Sequence, residues 1–225
     1  VKLPPSMKNS GIEFLDIRSA IKKYPEICRE HLADEVHQDA NKLVALNNAF
    51  FNSGFFLNVP DDTDAGVIRV VNLLTHDNHL MIGRNIIVLG KASKATVTEE
   101  YYSARSDKQS LINNITCIHV KEGGQMHFGT INAPGENVVT IFNKTALLEK
   151  DAQLFSASGF FGGMLTLSNI NTILQGNGSS SEDYEVIFGN GSQNFGVASN
   201  LFHEGISTRG KVMTKGIFDG RSKGL

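Results

Sequence analysis

The sequence predicts a mainly β fold built as a solenoid behind a short helical lead. Three observations carry this. From Gly54 onward the 225-residue chain breaks into short apolar runs separated by Asn, Gly, Asp and Ser; each of these residue types accepts turn conformations for its own reason. Many short strands at regular spacing fit a sandwich, a barrel or a solenoid. Glycine turns recur 24 residues apart, Gly66 to Gly90 and Gly135 to Gly159, about the length of one coil of a parallel β-helix, and this favours the solenoid.

The elements follow in order. Residues 11–52 read as helical. Ile17, Ile21 and Tyr24 recur at helical spacing until Pro25, which suits the first turn of a second helix. Asp39 is placed to cap a further helix carrying Leu43, Leu46, Asn47 and Phe50 on one side and stopped by Gly54. Phe50, Phe51, Phe55 and Phe56 read as a packing cluster where helix meets sheet. Strand runs then follow at 55–59, 67–74, 85–89, 95–98, 114–120, 125–131, 138–142, 153–158, 164–174, 184–188, 195–202 and 212–218. This divides the chain into a helical region, 1–54, and a β-helix core, 55–225.

Composition excludes several classes. Net charge is −2, which argues against a nucleic-acid binder with its basic footprint. No run of 18 apolar residues is present, so nothing reads as a membrane span. Two cysteines are too few for a disulfide framework or a four-cysteine metal site. A reducing cytoplasm is the expected compartment.

Candidate chemistry is sparse. Cys117 and His119 lie two apart in a strand run and share a face. His127 lies in the next run, after Gly123-Gly124. A thiolate and two imidazoles suit iron, zinc or copper, so these three are the metal candidates, against a reading as a buried thiol and hydrogen-bonded histidines. His76 and His79 fall in a turn, and Cys28 reads as structural. Asp61, Asp62 and Asp64 form a solvated turn. The glycine-rich stretches 159–163 and 189–191 lie between strand runs rather than opening a helix, which argues against a phosphate cradle.

Two segments carry a family resemblance. The first contains Asn41-Lys42, Ala45-Leu46-Asn47, Ala49-Phe50, Gly54, Phe56 and Val59-Pro60. The second contains His203, Gly205, Thr208, Lys215-Gly216, Gly220, Ser222 and Gly224. In this order they resemble the SufB/SufD family of iron–sulfur cluster assembly scaffolds, the first as its helix-to-strand entry and the second as its H-x-G-x-x-T segment followed by K-G and G-x-S-x-G. Residues 86–100 and 115–126 resemble the family's early coils.

The resemblance implies a right-handed parallel β-helix and a non-catalytic cytoplasmic scaffold. Its partners would be a SufC-like ATPase and a SufB-like paralogue, or a second copy in a homodimer. No resident cofactor is implied; an iron–sulfur cluster would pass through the full complex transiently. The SufD branch fits better, because the stretch 144–151 lacks the cysteine implicated in sulfur acceptance in SufB-type proteins. The family's later coils, its D-D-V-x-C-x-H-G-type segment and its terminal helices have no counterpart before Leu225, so the chain reads as the N-terminal and central part of such a protein, ahead of a short homologue whose open end a partner covers. A carbohydrate-active or structural β-helix is the competing expectation. The carbohydrate enzyme requires converging carboxylates, and the structural β-helix requires stricter repeats.

Overall fold

The computed structural model describes residues 10–32, 42–76, 78–104 and 107–225. Among them are three helices, α1 (Ile17–Lys23), α2 (Pro25–Leu32) and α3 (Lys42–Phe50). The strands are β1 (Glu13–Asp16), β2 (Phe55–Val59), β3 (Asp64–Leu74), β4 (Leu80–Leu89), β5 (Lys94–Ser103), β6 (Ser110–Val120) and β7 (Gln125–Ala133). They continue with β8 (Val138–Leu148), β9 (Gln153–Phe160), β10 (Leu165–Leu174), β11 (Ser180–Gly189), β12 (Asn194–His203), β13 (Arg209–Phe218) and β14 (Lys223–Gly224). Each of the twelve strand runs falls on one of β2 to β13.

Even-numbered strands from β2 to β14 stack in one parallel sheet, with β1 added antiparallel to β2; odd-numbered strands from β3 to β13 stack in the other. The chain alternates between the sheets, and each pair of strands makes one coil of a β-solenoid. Coil length is 31 residues where Ile86 pairs with Cys117 and 26 where Val139 pairs with Leu165. The 24-residue glycine spacing is therefore not the coil length. Gly66 lies within β3, Gly90 follows β4, Gly135 precedes β8 and Gly159 lies within β9, so neither pair marks equivalent corners.

One corner repeats closely. Asp62, Ala92, Gly123, Asp151, Gly178 and Ser207 follow the even-numbered strands and all have φ between 51° and 74°. Their amides join the coils: Asp62 N donates to Lys91 O, Ala92 N to Glu122 O, Gly123 N to Lys150 O, Asp151 N to Asn177 O and Gly178 N to Ile206 O, at 2.8–2.9 Å. Turn amides that a strand ladder leaves over thereby find partners in the next coil.

The helices cover the outer face of β2, β4 and β6. Asp16 caps α1 by accepting from Ser19 N at 3.0 Å, and Pro25 opens α2. Ile17, Ala20 and Cys28 bury against Phe56, Ile86 and Val88. Three expectations are corrected here. Residues 13–16 form β1 rather than helix, because Phe14 stacks on Phe55 at 5.2 Å and joins the inner core. On α3 the buried side is Val44 and Asn47, whereas Phe50 is 65% exposed. The phenylalanine cluster is split by strand alternation, with Phe55 in the inner core and Phe56 under the helices. The Asp39 cap lies outside the described residues. No described helix is long and apolar enough to cross a membrane.

Candidate functional site

Cys117 and His119 do share the outer face of β6, but His127 does not join them. The Gly123-Gly124 turn carries the chain to the other sheet, where His127 is exposed and packs on Phe155 at 5.5 Å. Among the described residues no three His, Cys, Asp or Glu side chains converge as metal ligands. His76 and His79 are exposed, with ring centroids 6.0 Å apart.

Cys117 lies instead beneath α2 and α3, packed with Val44 and Ile115. Its thiol donates to His31 O at 3.5 Å. Arg84 is fully buried beside it and donates to Asn48 Oδ1 at 2.9 Å and to His31 O and Leu32 O at 3.3 and 3.4 Å. A cation there meets the carbonyls that the C-terminal end of α2 leaves unpaired. Burial lowers the Arg84 pKa, partly offset by Cys117, yet a guanidinium keeps its charge. Burial raises the Cys117 thiol, partly offset by Arg84, so it rests as a thiol. His119 Nε2 pairs with Glu149 Oε1 at 2.9 Å and packs against the His31 ring at 5.5 Å. Burial lowers the His31 pKa, opposed by the bond to Ile27 O. This arrangement rivets helices to sheet.

A polar spine inside the solenoid was missed in the sequence. Glu99 accepts from Asn85 Nδ2 at 3.1 Å, Tyr101 OH at 2.9 Å and Thr116 Oγ1 at 3.1 Å. Desolvation pushes its pKa up to about 7, against the pull of these bonds and of Lys144. Lys144 is buried, bonds Ser156 and pairs with Asp183 at 3.1 Å. Asp183 also accepts from Thr172 and Ser181. Two residues further along β11, at the next inward position, Glu185 bonds Ser199 and Thr214. A cavity of about 20 Å³, lined by Glu99, Thr116, Lys144, Ser158 and Ser168 among others, has room for one water. Apolar clusters flank the spine on both sides. Alternation was the available signal: Glu99 and Lys144 fall on inward positions between apolar neighbours.

Most motif residues of the two resembling segments hold the backbone in place, Ala45, Leu46 and Lys215 excepted. Asn47 is fully buried and its Nδ2 donates to Gly83 O at 2.9 Å and Asn113 O at 3.0 Å, joining α3 to β4 and β6. Its neighbour Ala45 is exposed and Leu46 half-buried. Gly54 has φ +133°, and a Cβ there would lie 1.9 Å from Arg84 O; only glycine fits. Pro60 O accepts from Ser93 Oγ at 2.6 Å. His203 Nδ1 bonds Thr208 Oγ1 at 2.7 Å across a turn in which a Cβ on Gly205 would meet Gly176 O at 2.5 Å. Gly216 and Gly224 leave room for the Phe218 ring, and Gly220 stacks on Gly191. Lys215 is exposed on β13.

Comparison with known proteins agrees with this geometry. A family model described as "SUF system FeS cluster assembly, SufBD core domain" matches residues 72–225. Iron-sulfur cluster assembly protein SufD of Bacillus subtilis is 24% identical over 220 residues, covering 96% of this chain and 50% of that protein. SufB of the same organism is 25% identical over 212 residues, covering 94% and 46%. The chloroplastic SufBD family protein ABCI8 of Arabidopsis thaliana is 24% identical over 229 residues, covering 97% and 41%. The chain thus spans about half the length of the relatives it matches. SufD and SufB match it almost equally, so similarity does not separate the two branches. With the family model covering more than half of its residues, the chain belongs to the SufB/SufD family of SUF-system iron–sulfur cluster assembly proteins.

Proposed function

We propose that the chain is a non-catalytic scaffold in iron–sulfur cluster assembly, acting in the cytoplasm with a SufC-type ATPase and a SufB-type paralogue. The match of residues 72–225 to the SufBD core carries this reading. Its continuous stacking supports the role: the coils are joined by parallel ladders and by the turn amides of the repeated corner. Such a stack holds partner surfaces at fixed distances, and a nascent cluster is then cargo of the assembled complex. The SufD-like branch is favoured by residues 144–151, which contain no cysteine.

Co-expression of the full-length gene product with the SufC-type ATPase and SufB-type paralogue of its own host tests this. Capture of both by affinity purification is expected. Failure to capture either overturns the reading, and capture of only a second copy of the bait replaces the paralogue with a homodimer.

A further inference from the structure

The chain contains two Asn-Gly pairs, Asn177-Gly178 and Asn190-Gly191. In such a pair the glycine nitrogen can attack the asparagine side-chain carbon. A carbon–nitrogen bond forms, the bond to the side-chain amide nitrogen breaks, and ammonia leaves with the proton of the backbone nitrogen. Water then opens the resulting succinimide at either carbonyl, giving aspartate or isoaspartate. Glycine presents no Cβ to hinder the attack. The reaction needs a glycine N–H and a side chain free to meet.

Both asparagines are exposed, so access to water does not distinguish them. Hydrogen bonding does. Asn177 Oδ1 accepts from Ile206 N at 2.9 Å, and Gly178 N donates to Ile206 O at 2.9 Å. One residue of the next coil therefore holds both reacting groups, each through its own bond. At the other pair Gly191 N donates to Asn190 Oδ1 at 2.6 Å, so nucleophile and side-chain carbonyl already touch. Space beside Gly191 is open, with nothing within 4 Å of where a Cβ would stand.

We propose that Asn190 is a site of spontaneous deamidation and that Asn177 is protected from the same chemistry by Ile206. The product has a consequence for the fold. Gly189 pairs with Phe218 in register, which places position 190 beside Asp219 of the next coil. Deamidation adds a carboxylate there, and like charges on stacked turns of adjacent coils repel. The isoaspartate form also lengthens the backbone of a turn whose Gly191 O accepts from Arg221 N at 2.7 Å.

The intact chain would be aged in mildly alkaline buffer at physiological temperature, folded and in urea. Peptide mass spectrometry would follow the gain of one mass unit at each asparagine, with isoaspartate scored by its methyltransferase. Folding is expected to slow Asn177 about 30-fold, the factor set by two hydrogen bonds of ordinary strength. Asn190 is expected to stay within about three-fold of its unfolded rate. Equal slowing of both sites, or stronger slowing of Asn190, would overturn the assignment.

Discussion

Glu99→Gln takes an ionisable proton out of the solenoid interior while leaving its shape nearly unchanged. Glu99 is 2% exposed, and burial raises its pKa from 4.5 to about 7. Between those two values the unfolded chain releases the proton while the folded chain keeps it. The stability contributed by the protonated form is therefore complete below pH 4.5 and is lost as pH rises through about 7. A difference of 2.5 units corresponds to about 3 kcal/mol. Glutamine does not titrate, so this slope disappears from the variant. The amide meets the donors Asn85, Tyr101 and Thr116 less well, a pH-independent cost of about 1 kcal/mol. Urea midpoints of both proteins, stepped from below 4.5 to above 7, give the difference directly, because the other carboxylates titrate alike in both. The variant is expected to gain about 3 kcal/mol on the parent over that range. A difference that stays flat with pH would refute the placement of Glu99 as a buried acid.

Four further outcomes follow from the same geometry. Lys144→Met removes the cation that draws Glu99 down, so the stability loss of the variant continues to higher pH than in the parent, read from the same urea series. Gly54→Ala drives a Cβ into Arg84 O at φ +133° and costs at least about 2 kcal/mol in the unfolding midpoint. Asn47→Leu leaves the Gly83 and Asn113 carbonyls without their side-chain donor and costs about 2 kcal/mol by the same measurement. Cys28 and Cys117 are 1% and 7% exposed, with both thiols raised by burial, so a disulfide reagent reacts with the native chain far more slowly than with the urea-unfolded one; matching rates would place these thiols at the surface.

Alternation and turn residues made the strands legible, which is why the runs beginning at Phe55 and ending at Phe218 align with β2 to β13. The coil length was not legible, because a glycine marks a turn without saying which of two corners it serves. The strand Glu13–Asp16 was hidden by its shortness: four residues against a following helix carry no period of their own. For the metal candidates the face of Cys117 and His119 followed from parity, but parity says nothing about which sheet the next run joins. The spine of Glu99, Lys144 and Asp183 was obscured for a similar reason. A polar residue at an inward position looks like a surface residue until the coil shows a partner facing it from the other sheet, as Thr116 faces Glu99.

The repeated left-handed corner makes the solenoid extensible. Strand-to-strand connections at that corner hold four or five residues, and each contains one residue with positive φ, whose amide bonds the following coil at the first five of the six corners. A cut at Gly123 and another at Asp151 meet the same backbone conformation on both sides. Copying the 28 residues between them and inserting the copy would restore every join with the geometry already used by its neighbours. Gene duplication of a single coil can thus lengthen such a protein without inventing a new turn, and a designer could set the distance between its two ends in steps of one strand spacing, about 4.8 Å.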